Sequence, residues 1–198
     1  MPNVSVAAVR RSTAVPPSPV PFGGNSVHKV MKIGMFLLIA AVVSAQDAKP
    51  LSEDAKRAYS EVKNNILRSA EKMPEENYAF RPVARVRTFG QVLGHIAQEQ
   101  YLYFCAPVKG EQKSVDIERT KTAKSDLIAA LKDSFAYCDS VYDKMTDAEA
   151  MGTVNTGGSK SMKLRLLWMN IVRDESHYGN LVTHLRMKRI VPPSTEGQ

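Results

Sequence analysis

Residues 164–193 read LRLLWMNIVRDESHYGNLVTHLRMKRIVPP, a long helical pattern that contains two of the four histidines of the chain. At about 100° per residue, its apolar positions share one broad face of a helix. These positions are Leu164, Leu167, Trp168, Ile171, Tyr178, Val182 and Leu185. Arg173, His177 and His184 form a stripe along the flank of that face. The stretch predicts a final amphipathic helix, with any reactive chemistry along the stripe.

Three more amphipathic helices are predicted before this one, over residues 53–73, 89–106 and 122–145. Apolar residues recur there at three- and four-residue steps. They are Ala55, Ala58, Tyr59, Val62, Ile66, Ala70 and Met73 in the first helix, Phe89, Val92, Leu93, Ile96, Tyr103 and Phe104 in the second, and Leu127, Leu131, Phe135, Cys138, Val141 or Tyr142, and Met145 in the third. Ser52 is the predicted N-cap of the first helix, and Thr88 is that of the second. Nothing in the chain reads as a strand, since it has no sustained alternation and no Asn-Gly or Asp-Gly hairpin. The prediction is therefore an all-α fold, a four-helix bundle around one core.

The connections carry their own predictions. Residues 107–120 are polar and follow a helix that Pro107 should end, and this length suits a connection that crosses the end of a bundle. Residues 146–160 contain three glycines and are predicted as a loop. Gly179 lies inside the final helix, where glycine costs about 1 kcal/mol relative to alanine. We therefore expect close packing of a neighbour at Gly179.

Net charge does not indicate a nucleic-acid partner. The chain has 198 residues and a net charge of +7, but four basic residues precede Asp47, the first acid. Removing those four from the 27 basic residues leaves 23 against 20 acidic residues. An excess this small and dispersed does not indicate binding to a phosphate backbone.

Residues 31–46, MKIGMFLLIAAVVSAQ, have the features of a secretory signal peptide. Lys32 precedes an apolar run, and the run is followed by the small residues Ser44 and Ala45. Cleavage by signal peptidase is expected after Ala45. A short membrane anchor is the alternative, but the run is well below the roughly 20 residues that span a bilayer. The predictions are translation from Met31, a signal peptide over 31–45 and an exported domain over 46–198 with no membrane span. Residues 1–30 are predicted to be a non-native upstream extension or disordered.

Export changes the interpretation of the two cysteines, because an oxidising compartment allows thiols to pair. A bridge between Cys105 and Cys138 would close a loop of about 33 residues and could stabilise the fold by roughly 3 to 4 kcal/mol. Two buried free thiols are the alternative, and the sequence leaves both open. No CxxC pattern supports a redox catalyst.

Two stretches resemble a known family. KMPEENYAFRPVARVRTFGQVLGHI (72–96) and HYGNLVTHLRMKRIVPPST (177–195) are similar to the DinB-like (YfiT/DinB) superfamily of four-helix bundles, over residues 51–195. The resemblance implies an up-down-down-up order, a long connection between helices two and three, and homodimers. It also implies a divalent metal held by three histidines, one from helix two and two from helix four. Some members of the family are thiol-dependent transferases, and others resemble metal-dependent hydrolases.

Two of the three family ligands are matched in this sequence. His95 corresponds to the ligand on helix two, and His177 to the second histidine on helix four. Arg173 stands where the remaining histidine is expected, and an arginine has no lone pair to offer and repels a metal cation. Glu99 lies one turn from His95 on the same face and could complete a two-histidine, one-carboxylate site for zinc, nickel or manganese.

Other arrangements of these residues remain open. Asp174 and Glu175 flank Arg173 and could supply the carboxylate ligand instead of Glu99. Alternatively, one of these three acids could pair with Arg173 and close the site as a salt bridge. His184 lies about 10 Å along the helix axis from His177, too far to replace the missing ligand easily. Two functions follow. One is an exported metal-dependent enzyme, a hydrolase or thiol transferase, that acts on an unknown small molecule. The other is a non-catalytic helical binding protein with no metal.

Overall fold

The computed structural model describes residues 49–197. The predicted signal peptide at 31–45 and the upstream residues 1–30 lie outside these described residues. Within 49–197, no helix has both the length and the apolar character that a membrane crossing requires.

The described chain is mostly helical. Four longer helices carry the core, and short helices and one hairpin lie between them. The elements in chain order are α1 (Pro50–Lys72), a 3₁₀ turn (Glu75–Asn77), α2 (Phe89–Glu99), a π-helix (Gln100–Phe104), α3 (Cys105–Val108), α4 (Ile117–Thr120), α5 (Lys124–Tyr142), α6 (Asp147–Ala150), β1 (Thr153–Thr156), β2 (Ser159–Met162), α7 (Lys163–Met187) and a 3₁₀ turn (Pro193–Thr195).

The start of α1 differs from the prediction. The N-cap is Lys49, and Pro50 takes the first helical position, where its missing N–H is not needed. Ser52, the predicted cap, lies inside the helix. Its backbone N–H and its hydroxyl both donate to Asp147 Oδ1, each at 2.8 Å. Ser52 thus ties the first turn of α1 to α6.

A small hairpin corrects the prediction that the chain contains no strand. β1 and β2 pair antiparallel, with Thr156 opposite Ser159. Gly157 and Gly158 form the two-residue turn with φ of 57° and 90°, a left-handed conformation that glycine adopts readily. The sequence signal for this hairpin is the Gly-Gly pair, which forms two-residue turns as Asn-Gly and Asp-Gly do.

The core lies where α1, α2, α5 and α7 pack together. Tyr59 of α1 stacks on Tyr142 of α5 with ring centroids 4.0 Å apart, and its hydroxyl donates to the Phe135 carbonyl at 3.0 Å. The apolar stripes predicted for the first and third helices are buried, apart from Ala58, which is partly buried. The largest fully buried side chains are Tyr59, Phe89, Phe135, Ile66, Met73, Leu93, Ile96, Leu127, Leu131, Leu167, Leu181 and Leu185.

The buried face of α7 is rotated relative to the predicted one. Trp168 was placed on the buried face but is 37% exposed, whereas Asn170, Asp174, His177 and His184 are buried. These positions indicate a rotation of roughly 60° toward the histidine stripe. The helix therefore turns part of its polar flank into the bundle.

Two further expectations about packing were wrong. A Cβ added at Gly179 would meet no atom of another residue within 4 Å among the described residues, so no neighbour packs closely there. Tyr103, expected on the apolar side of the second helix, is 57% exposed. It lies in the π-helix, whose wider turn shifts the positions that follow Glu99 away from α-helical spacing.

The two cysteines form a disulfide, which settles the alternatives that the sequence left open. The Cys105–Cys138 bridge joins α3 to α5 with a Cα–Cα distance of 5.4 Å. Pro107 does not end the second helical stretch at once, because α3 continues to Val108. The connection after it is not wholly irregular either, since it contains α4.

Candidate metal centre

The candidate site lies between α2 and α7. His95 and Glu99 are one turn apart on α2, and His177 faces them from α7. One ligand atom from each of these three residues lies within 4.8 Å of the others. Thr88 begins α2 as predicted, in a capping box with Gln91, and this fixes the start of the helix that carries two of the three residues.

Glu99 is the centre of the cluster. Its carboxylate is 4% exposed and contacts three side chains from two helices. His95 Nε2 lies 3.3 Å from Glu99 Oε1, and His177 Nε2 lies 3.0 Å from Glu99 Oε2. Arg173 Nη2 donates to Glu99 Oε1 at 2.7 Å. The hypothesis that Arg173 pairs with an acid is therefore confirmed, and the acid is Glu99.

The surroundings of Glu99 favour its charged form. Burial by itself raises the pKa of Glu99, but the hydrogen bonds from His177, His95 and Arg173 outweigh it and hold the pKa well below its ordinary value. The hydrogen bond between His95 and Glu99 raises the pKa of His95, although the burial of His95 opposes this shift. The site thus presents a carboxylate surrounded by nitrogen donors.

Glu118 orients His95 from the other side. Its Oε2 lies 2.7 Å from His95 Nδ1, and its Oε1 accepts from Arg87 Nε at 2.7 Å. A carboxylate on one ring nitrogen fixes the tautomer and leaves the other nitrogen, Nε2, able to bind a metal. Nε2 is the nitrogen of His95 that faces Glu99.

Sequence reasoning missed Glu118 and Arg87, which lie in stretches predicted as loops. Glu118 belongs to α4, whose buried Ile117 was the one local sign of an ordered turn. Gly94 allows this turn to approach, since a Cβ added there would lie 2.8 Å from the Cα of Glu118. A glycine one residue before His95 is therefore required by the close backbone contact that places Glu118.

The other acids near Arg173 do not join the cluster. Glu175 is exposed. Asp174 points into the bundle, where both of its carboxylate oxygens accept from Gln100 Nε2, at 2.9 and 3.0 Å. Burial raises the pKa of Asp174 well above its ordinary value. Cys138 Sγ lies 3.0 Å from Gln100 Oε1, but a disulfide sulfur has no proton, so this is a contact and not a hydrogen bond.

His184 is also separate from the candidate ligands. Its Nδ1 lies 2.8 Å from the Asn180 carbonyl oxygen, and its Nε2 lies 3.2 Å from that of Arg87. Its ring packs edge-on against Phe80 and Phe89. It is a core histidine that fastens α7 to the loop before α2.

The donor set fits a divalent metal. Bonds of about 2.1 Å in a tetrahedral site place ligand atoms about 3.4 Å apart. Each histidine lies near that spacing from one carboxylate oxygen of Glu99, His95 Nε2 at 3.3 Å from Oε1 and His177 Nε2 at 3.0 Å from Oε2. One ligand atom from each of the three residues lies within 4.8 Å of the others. Arg173 competes for the same carboxylate oxygen that His95 faces, and its side chain is 45% exposed. It therefore has room to move toward solvent through the shallow depression of about 460 Å³ beside the cluster.

The class of protein that the fold and site indicate is a helical bundle with a His–Glu–His cluster between two of its helices, α2 and α7. The sequence profile of the DinB superfamily matches residues 58–181, and the chain belongs to that superfamily. No curated protein matches the chain.

Solved structures share the fold. A DinB-like protein from Bacillus cereus has a TM-score of 0.60 at 14% identity, over 71% of this chain and 95% of that one. The DinB-like protein YjoA from Bacillus subtilis has a TM-score of 0.55 at 18% identity, over 67% and 92%. A mutant of the mycothiol-dependent maleylpyruvate isomerase has a TM-score of 0.56 at 15% identity, over 67% of this chain and 60% of that one.

Proposed function

We propose that this protein is an exported, divalent-metal-dependent enzyme of hydrolase or thiol-transferase type that acts on a small molecule. His95, Glu99 and His177 would hold zinc, nickel or manganese. The observation that carries the proposal is the convergence of these three residues, whose ligand atoms lie within 4.8 Å of one another. These residues would hold a divalent ion that would supply Lewis-acid chemistry and lower the pKa of a nucleophile.

The residues around the cluster have distinct roles in this proposal. Glu118 holds the His95 ring in the orientation that presents Nε2. Glu99 bridges the two histidines across the helix interface. Arg173 holds the carboxylate in its charged form and must release Glu99 Oε1 before that atom can serve as a ligand. Metal affinity is consequently reduced by the free energy of breaking the Arg173–Glu99 pair.

The choice between hydrolase and thiol transferase depends on which cofactor the reaction needs. The mycothiol-dependent isomerase shares the fold at 15% identity, which supports a thiol cofactor only by analogy. Export disfavours that cofactor, because low-molecular-weight thiols are chiefly cytosolic. Hydrolysis at the metal needs no further cofactor, so we favour the hydrolase.

The second candidate is a non-catalytic binding protein without metal, and one observation favours it. Arg173 already neutralises Glu99 at 2.7 Å, so the cluster is satisfied as an ion pair. Metal analysis by mass spectrometry of protein purified without a histidine tag separates the two proposals. Stoichiometric metal that is lost in His95→Ala supports the enzyme. Metal-free wild-type protein that also fails to take up added zinc supports the binding protein.

Export itself stays a proposal. The Cys105–Cys138 disulfide supports it, because such bridges persist in oxidising compartments. Cleavage after Ala45 gives a mature protein that begins at Gln46. Mass spectrometry of the native protein tests this, and a mature N-terminus at Met1 would contradict it.

We also propose the up-down-down-up order and a homodimer. Support for the order comes from successive pairs that run in opposite directions along two helices. Between α1 and α5 these are Lys63 with Asp139 and Glu71 with Lys132, and between α2 and α7 they are His95 with His177 and Glu99 with Arg173. Support for the dimer comes from the exposed apolar side chains of Trp168, Met169 and Val172 on α7. Analytical ultracentrifugation of wild type and Val172→Lys tests the dimer, which should dissociate more readily in the variant.

A further inference from the structure

A second pocket adjoins the candidate metal centre. It has a volume of about 650 Å³ and lies between the loop that precedes α2 and the C-terminal half of α7. His177 lines it, so the pocket borders the metal cluster directly. Its volume falls within the range of about 300 to 1,000 Å³ that is typical of small-molecule sites. The pocket is the natural place for the body of a substrate whose reacting group lies at His177.

The charges of this pocket are unequal. Arg85 and Arg87 both line it, together with the single acid Glu118. Glu118 accepts from Arg87 at 2.7 Å and contacts His95 with its other oxygen, so its charge is already engaged. Arg85 forms no ion pair within residues 49–197. The pocket wall therefore offers one uncompensated guanidinium.

Besides His177 and His184, the remaining lining consists of apolar and uncharged polar side chains. Pro82, Val86 and Val92 supply apolar surface, while Asn180 and Thr183 supply polar groups from α7. A ligand that fits has an apolar body that packs against Pro82, Val86 and Val92, and an anionic end that binds Arg85. A planar guanidinium forms paired hydrogen bonds with a carboxylate, which favours a carboxylate as that end.

We propose that this pocket binds an organic carboxylate, with the anion on Arg85 and the apolar body against Val86 and Val92. The inference rests on the proposed function for its reaction, since it names the substrate class of the same site. Its binding step, however, needs no metal. Binding and metal dependence can therefore be tested separately.

The test uses two probes of nearly equal shape, 4-phenylbutyrate and its uncharged amide. Calorimetry is performed on metal-free protein, so that the carboxylate cannot coordinate an ion. We expect the carboxylate to bind about tenfold more tightly than the amide, in line with a charge-assisted hydrogen bond. Arg85→Gln should abolish this preference and leave the affinity for the amide unchanged.

Arg81→Gln is the matched control. Arg81 belongs to the same loop and is exposed, but its side chain reaches the Ala84 carbonyl and does not line the pocket. It should leave both affinities unchanged. Equal binding of the two probes, absence of binding at millimolar concentration, or an equal effect of both arginine variants would overturn the inference.

A zinc titration on the same samples separates the two proposals. If Arg85 is needed for tighter binding of the carboxylate than of the amide, and no zinc binds, the proposal of a carboxylate pocket stands and the metal-dependent function is refuted. Zinc binding that requires His95, without carboxylate selection, would refute the pocket assignment alone.

Discussion

Arg173 Nη2 lies 2.7 Å from Glu99 Oε1, so the guanidinium occupies one oxygen of the carboxylate that links His95 and His177. A cation thus stands at the position where the family resemblance calls for a histidine ligand. Because an arginine stays protonated, it cannot become a ligand itself. It can only stabilise Glu99 in the absence of a metal and compete with a metal for it.

Two glycines give opposite predictions for the same substitution. In Gly94→Ala the new Cβ would lie 2.8 Å from the Cα of Glu118. We expect this clash to lower the free energy of unfolding by about 1 to 3 kcal/mol and to weaken zinc binding by displacing Glu118. Among residues 49–197, the Cβ of Gly179→Ala would meet no atom within 4 Å beyond its chain neighbours and the backbone of its own helix, so the substitution should raise stability by up to about 1 kcal/mol. Urea denaturation measures both, and equal effects would contradict the close approach at Gly94.

Asp174→Asn should make the protein more stable at higher pH. Burial raises the pKa of Asp174, and the nearby charges of Glu99 and Glu175 raise it further, whereas Gln100 opposes the shift. An acid with a raised folded-state pKa binds its proton more tightly when folded. The free energy of unfolding of the wild type therefore falls as pH rises above the unfolded value of about 3.9. Asparagine does not ionise, so Asp174→Asn removes this fall in the free energy of unfolding with pH.

The measurement for Asp174 is urea denaturation at about pH 4, 6 and 8. The stability advantage of Asp174→Asn over wild type should grow across this series. Asp133→Asn is the control, because Asp133 is exposed on α5. An advantage that is constant with pH would show that Asp174 does not titrate as described.

Loss of the disulfide should destabilise the protein markedly. Cys105 and Cys138 are 33 residues apart in sequence, and a loop of that length corresponds to about 3 to 4 kcal/mol in the chain-entropy treatment. Guanidinium unfolding with and without dithiothreitol measures the difference. The double variant Cys105→Ala/Cys138→Ala should resemble the reduced wild type and should not respond to dithiothreitol. A wild type that is indifferent to the reductant would contradict the bridge.

Much of the helical framework could be predicted from the sequence, because long amphipathic stripes depend on local spacing. The apolar series of α1, from Ala55 to Met73, is an example, and so is the cap at Thr88. The π-helix and the rotation of α7 could not be predicted in the same way. Tertiary packing decides both features. Assigning helix faces at 100° per residue takes no account of packing or of a π-helical turn.

The candidate site was predictable in part for the same reason. His95 and Glu99 are one turn apart, so their proximity follows from helix geometry. The contact of Glu118 with His95 depends on a short helix 23 residues further along the chain and on a glycine that admits it. No local pattern contains that information. The sequence likewise leaves several acids as possible partners of Arg173, and the structure shows that the partner is Glu99.

The most direct test of the metal centre is a calorimetric zinc titration of wild type, Arg173→His, His95→Ala and the control Arg186→His. Arg186 is exposed on the same helix, so its replacement adds a histidine outside the cluster. We expect Arg173→His to bind zinc at least about tenfold more tightly than wild type, because a competing cation becomes a third imidazole ligand. His95→Ala should bind no zinc at the site, and Arg186→His should match the wild type. Zinc binding that survives His95→Ala, or that is unchanged in Arg173→His, would contradict the assignment of the metal centre to His95, Glu99 and His177.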